Sequence, residues 1–160
     1  MKKFKEQTLE QYLDALASRE PVPGGGSAAA LSAALGAGLV SMVTQYSVNK
    51  GSPVDVEAKL QEILQQSEIL RKKFLELVDR DAEAYLGVVQ ARKGTEEEKK
   101  AAAVKAAAVP RELAELCYQA IDLTPFLVLN GNKYLLSDVE VAVELLNAAF
   151  KSATTMSQQG

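Results

Sequence analysis

The sequence predicts an all-α protein, an antiparallel helical bundle with a buried Gly/Ala-rich central helix and long helices around it. Three observations lead there. A run of Ala, Leu, Gly, Val and Met from Ser27 carries no charge until Lys50. Apolar residues then recur at helical spacing from Val54 to about Arg92 with no proline among them. Three segments of the form Ser/Thr-x-x-Glu/Gln mark helix starts, at Thr8–Gln11, Thr95–Glu98 and Ser137–Glu140. No stretch reads as a strand, and the Ala-rich middle allows helices to approach closely.

In chain order, Thr8 and Gln11 open a short first helix whose Leu9, Tyr12, Leu13 and Leu16 share one face. It ends before Pro21. Pro21, Pro23 and Gly24-Gly25-Gly26 then hold the backbone off helix, and Ser27 begins the central helix, which runs to about Val48. Gly36 and Gly38 cost helix stability relative to Ala, so both are expected where a neighbouring backbone crosses at close range. Asn49 to Pro53 is a turn, with Ser52 as N-cap and Pro53 at the first helical position.

One long helix follows from Val54 to Arg92, on the order of 55–60 Å if unbroken. Gly94 stops it, and Thr95 and Glu98 cap the next, an Ala-rich helix from Glu96 to Leu123 that Pro110 should kink or restart. Phe126 to Asn132 reads equally as a short helical turn or a loop. Ser137 opens the last helix, and Ser152 to Gly160 reads as a polar, frayed end.

Length and composition fit one domain over residues 1–160 with a sizeable core. A net charge of −3 argues against a general nucleic-acid binder. The Gly-rich entry fails as a phosphate loop, because no strand precedes it and no Lys-Ser or Lys-Thr follows. The central run is long enough to span a membrane, but its Ala, Ser and Gly content and the lack of a second span favour a core helix. The N-terminal residues lack the apolar stretch of a signal peptide. One cysteine, Cys117, leaves no intrachain disulfide and suits the cytoplasm. With no histidine, Ser-His-Asp triads, Cys-His pairs and ordinary zinc sites are out. Catalysis must therefore use carboxylates, Lys, Tyr, Ser or backbone dipoles.

Asp81 is the most informative acid. Its helical neighbours are Leu77, Val78, Ala84 and Tyr85, and an acid on an apolar stripe is costly unless it has partners or a task. Asp79 has Glu76 and Glu83 beside it and is expected on a solvated acidic face. A second candidate is the turn and polar helix start from Asn130 to Asp138, including Asn132, Ser137 and Asp138. Lys99, Lys100 and Glu96 to Glu98 read as a solvated face. On the residues alone, the Gly-rich entry remains open between a site and an ordinary core helix.

The segments PVPGGGSAAALSAALGAGLVSMV, VDRDAEAY, KGTEEEK, AVPRELAE and GNKYLLSDVEVAVELL occur in the order and spacing of one family. Over residues 8 to 150 the chain resembles the formiminotransferase-cyclodeaminase C-terminal domain and its stand-alone relatives, including methenyltetrahydrofolate cyclohydrolases. The resemblance implies an all-helical homodimer acting on folate-bound one-carbon groups, with Asp81 as catalytic acid/base. It implies a tetrahydrofolate derivative, including polyglutamylated forms, as substrate, and no cofactor or metal beyond it. Gly24, Gly25, Gly26 and Ser27 would line the site through backbone donors. Lys50 is the candidate for the glutamate tail, and Asn132, Ser137 and Asp138 complete the binding set. Relatives carry a lysine cluster where this chain keeps only Lys50, and their pattern continues past this chain's last residue, so part of the bundle is expected to be missing. The alternative expectation is a non-catalytic folate-binding or oligomerisation module. A homodimer is also expected from the long helix, which exceeds what a compact chain of this size needs.

Overall fold

The computed structural model describes residues 2–159. They form six α-helices: α1 Leu9–Ala17, α2 Gly25–Gln45, α3 Val54–Ala91, α4 Glu96–Asp122, α5 Thr124–Asn130 and α6 Leu136–Gln159. Two 3-10 turns, Phe4–Glu6 and Lys133–Leu135, precede α1 and α6. Among the described residues there is no strand.

Helix starts follow the side chains that can satisfy orphan backbone donors. Thr8 and Thr95 each accept from the backbone N–H three residues on, and Gln11 and Glu98 return the bond. The third expected box does not form. Asn132 instead accepts the Tyr134 N–H at 2.9 Å, and the 3-10 turn it starts runs directly into α6. Ser137 therefore lies inside a continuous helical stretch and caps nothing. At α3, Pro53 itself occupies the capping position, one residue later than expected, and no side chain caps the helix start. The turn before it is tightened by Asn49 and Gly51 at positive φ, 59° and 83°.

Pro110 neither stops nor restarts α4, which is continuous from Glu96 to Asp122. The undecided stretch after it is α5, with Pro125 in its first turn. The end of the chain is helix rather than a frayed tail. Ala153 is fully buried there, and Met156 packs on the core.

The helices form a four-cornered bundle. α2 lies along α3 and α6, α4 lies along the same two, and α2 and α4 touch only briefly across the diagonal. The core between them is filled by Phe74, Leu60, Ile63 and Leu77 of α3, Val40 and Val43 of α2, Leu113 of α4 and Leu146 of α6. α2 is thus a corner, not a helix enclosed on every side. Ala33, Ala37 and Val40 face inward, while the opposite, uncharged side carries the exposed Leu35 and Tyr46, 55% and 56% exposed, between Leu31, Leu39 and Met42, which are partly buried against the core. α1 contributes less than expected: only Tyr12 is buried, and Leu9 and Leu13 face solvent.

Close approach explains one α2 glycine and not the other. A Cβ on Gly36 would stand 2.7 Å from Leu146 Cγ and 3.1 Å from the Ala142 carbonyl. A Cβ on Gly38 would meet only Arg71 Cδ at 3.8 Å, an ordinary contact. Polar residues also tie α2 to α3. The Ser41 hydroxyl lies 2.9 Å from both Ser67 Oγ and Glu68 Oε2, and Arg71 grips Glu68 through two bonds of 2.7 and 2.9 Å. Arg71, then burial against it, then Ser41 set the Glu68 carboxyl at about 2, below the usual carboxylate range.

Candidate active site

The Gly-rich turn delivers α2 to α3 at the level of Asp81. Gly24 is the N-cap in extended backbone, and Gly25 to Ser27 form the first turn with their N–H groups free of helical partners. The Asp81 carboxylate rests on this turn so closely that a Cβ on Gly26 would overlap it. Glycine is required here by that approach, not by an unusual φ. Burial pushes the Asp81 carboxyl above the ordinary value, and the Ser27 backbone amide pulls it partly back. A carboxylic acid so placed can give or take a proton nearer neutrality than a surface aspartate.

Asp81 opens onto a cavity of about 540 Å³. Pro21 and the glycines form one side, Tyr85 and Val88 of α3 a second, and Ala103, Ala106 and Ala107 of α4 a third. Met156 and Ser157 of α6 complete it. The alanines keep the α4 wall low. Pro110, also in the lining, has no N–H for the Ala106 carbonyl, so that acceptor lacks its helical partner. The cavity is mostly apolar, with one carboxylate and a helix start converging on it, the general form of a small-molecule site. Among the described residues, no group of three Cys, Asp or Glu is placed to hold a metal ion.

Asp79 is not on a solvated face. It is 7% exposed, and its two carboxylate oxygens accept the backbone N–H groups of Phe4 at 2.7 Å and Lys5 at 3.0 Å. The N-terminal 3-10 turn packs over the side of α3 that the neighbouring Glu76 and Glu83 had suggested was open. Ser27 is fully buried, and its hydroxyl meets the Tyr12 hydroxyl at 2.7 Å. It therefore offers Asp81 its backbone rather than its side chain.

The predicted site residues fall into separate places within the chain. Gly24, Gly25, Gly26 and Asp81 line the large cavity, with Ser27 directly behind. Lys50 and Asn132 share a shallower recess of about 260 Å³ with Lys133 and Tyr134, beyond the opposite end of α2. At 1.5 Å per residue, the helix between them is about 30 Å long. Ser137 and Asp138 lie at the start of α6, outside both recesses. Sequence reading missed Tyr12, Tyr85, Met156 and Ser157. Tyr85 was visible as the i+4 neighbour of Asp81, whereas nothing local marks Met156 and Ser157, because α6 reaches the cavity only through tertiary packing.

The sequence pattern of the formiminotransferase-cyclodeaminase family matches residues 8–158. The chain belongs to this family. It is 41% identical, across 92% of its length, to a methenyltetrahydrofolate cyclohydrolase of Methylorubrum extorquens, and spans 76% of that protein. It is 32% identical to the formimidoyltransferase-cyclodeaminase of Rattus norvegicus, but spans only 28% of that longer chain. The crystal structure of a formiminotetrahydrofolate cyclodeaminase from Thermotoga maritima superposes with a TM-score of 0.92 at 30% identity, covering 97% of this chain and 78% of the other. The all-helical formiminotransferase-cyclodeaminase architecture therefore extends over nearly all of the described bundle, including the cavity around Asp81.

Proposed function

We propose that this chain is a folate one-carbon enzyme, a methenyltetrahydrofolate cyclohydrolase or formiminotetrahydrofolate cyclodeaminase, with Asp81 as the proton-transferring group. One observation carries the assignment of Asp81: a desolvated carboxylate seated on a triglycine helix start, inside a cavity of about 540 Å³ in a bundle that belongs to this family. The names of the 41% identical relative and of the solved structure support the substrate class.

In the cyclohydrolase direction, water attacks the cationic methenyl carbon and a C–N bond of the five-membered ring opens to leave a formyl group. Asp81 as carboxylate takes the proton of the attacking water, and its charge stabilises the cation beside it. In the deaminase direction, the folate N10 attacks the formimino carbon at N5, the ring closes and ammonia leaves. Asp81 then relays the N10 proton to the departing nitrogen. Both routes are C–N chemistry, of hydrolase or lyase type, and neither calls on a cofactor beyond the folate. The free N–H groups of Gly25 and Gly26 suit polar pterin edges.

The substrate-binding set is completed, in this reading, by a second copy of the chain. The outward side of α2 is uncharged over its whole length, the kind of surface a partner covers. A two-fold mate laid antiparallel on it carries its Lys50 and Asn132 recess towards the Asp81 end, where lysine suits a polyglutamyl tail. A lone cysteine fits a cytoplasmic home.

The assay is loss of methenyltetrahydrofolate by absorbance, run beside ammonia release from the formimino derivative. Enzyme-dependent change in one or both, abolished by Asp81→Asn, is the expected result. The reduction of the lysine cluster to Lys50 favours a second reading, a folate-binding or oligomerisation module without turnover. No turnover in either assay, with folate still raising Tm, would establish that second reading instead.

A further inference from the structure

The N-terminal strap, residues 3–12, reaches the proposed catalytic acid by a route the reaction above does not use. It begins at Asp79, whose carboxylate receives the Phe4 and Lys5 amides. The Phe4 ring then meets Tyr12 edge-on, with centroids 6.0 Å apart and planes at 79°. Tyr12 is 5% exposed, and its hydroxyl meets that of the fully buried Ser27 at 2.7 Å. Ser27 closes the path: it follows Gly26 in the first turn of α2, where an added Cβ would overlap the Asp81 carboxylate, and its amide lowers the Asp81 carboxyl's ionisation. The path leaves α3 at Asp79 and returns to it two residues later.

We propose that Tyr12 is a positioning residue for Asp81: through Ser27 it fixes the first turn of α2 against the carboxylate. This rests on the reading of Asp81 as the proton-transferring group. Three features support it. The Ser27 hydroxyl has Tyr12 as its side-chain partner, so that contact orients the residue whose amide meets Asp81. The turn is made of glycines, which have no side chains of their own to hold it. Its neighbour Gly26 lies so near Asp81 that an added Cβ would overlap the carboxylate, so the two are set at close range. Reacting groups held slightly out of place lose rate steeply, so a hydroxyl that holds such a turn bears on turnover without touching substrate.

The charge around Asp81 is simple enough for its titration to report on this contact. Tyr12 lies close to both aspartates, and burial raises its own ionisation, so it stays neutral through the working range. Asp79 is the charged neighbour on the strap side, and Tyr85 is the other titratable group lining the cavity from α3. The α2, α4 and α6 linings contribute glycines, alanines, Pro110, Met156 and Ser157, none of them charged.

The test is Tyr12→Phe, which keeps the ring against Phe4 and removes only the hydroxyl, beside Ser27→Ala and the double variant. Each is measured for kcat and KM across pH, for Tm, and for the Asp81 carboxyl titration by carbon-13 NMR. Tyr12→Phe should lower kcat about tenfold with KM within about twofold. Loss of the Ser27 amide's alignment should move the Asp81 ionisation to higher pH in both readouts. The double variant should be no worse than Ser27→Ala, because the two residues act through one contact. A Tyr12→Phe protein that melts earlier yet keeps wild-type kcat and Asp81 titration overturns the proposal and leaves Tyr12 an ordinary core tyrosine. The reading of the reaction fails separately, if Asp81→Asn turns over like wild type. The NMR titration, which needs no turnover, still decides whether Tyr12 governs Asp81.

Discussion

Asp79 and Asp81 sit within one turn of α3 and both are withdrawn from water, but their surroundings differ. Asp79 has two backbone donors and closes the strap, whereas Asp81 has one amide and a cavity. Removing Asp81 should therefore harm turnover and help stability. Asp81→Asn is expected to lower activity at least about a hundredfold, the usual scale for losing general acid–base help. Its stability effect follows from the raised carboxyl. The fold favours the protonated acid, so that contribution is fully present below the unfolded pKa and is lost as pH rises through the folded one. Asn imitates the protonated form, so the variant should melt above wild type at neutral pH and converge with it in acid, as calorimetry at several pH values will register. Asp79→Ala should act oppositely, costing about 1–3 kcal/mol through two orphaned amides, with hydrogen exchange at Phe4 and Lys5 rising first. Asp81 was legible because all its helical neighbours are apolar or amphipathic. Asp79 was not, because what covers it comes from residues 74 and 75 positions away.

Among the elements, α2 shows best how far pattern alone carries. Its uncharged run and glycine content gave a tightly packed helix, and Gly36 does lie against Leu146 and the Ala142 carbonyl. Gly36→Ala should cost about 1–3 kcal/mol, the range for forcing extra volume into a packed seam, read as a lower urea midpoint with unchanged slope. Gly26→Ala tests a different quantity. Its Cβ strikes a carboxylate rather than the core, so turnover should fall about a hundredfold while the helical circular dichroism signal stays. Capping boxes served as reliable signals where the Ser or Thr followed a true break, at Thr8 and Thr95. At Ser137 the same pattern misled, because Asn132 had already started the chain turning. The polar end of α6 misled in the same way: Ala153 and Met156 keep its inward face, which a count of polar residues overlooks.

For the whole molecule, the open side of α2 makes a prediction about assembly. Leu35 is its most exposed leucine, and Leu35→Glu places a charge at its middle. Light scattering should give twice the chain mass for wild type at micromolar concentration and the single-chain mass for the variant, with folate affinity falling in parallel. A wild-type monomer that turns over normally would remove the second copy from the site. The bundle was readable from periodicity because each helix carries its own stripe. The site was only half readable, since Lys50 and Asp81 lie at opposite ends of α2 and a linear sequence does not say which ends meet. The strap also has a consequence for synthesis. Phe4 emerges from the ribosome 75 residues before Asp79, which at about 5–20 residues per second is a wait of about 4–15 s. The cavity wall is assembled from Pro21 to Ser157, so no nascent fragment short of nearly the whole bundle can enclose it. Until Asp79 follows them out, the Phe4 and Lys5 amides lack the carboxylate that holds them in the folded bundle.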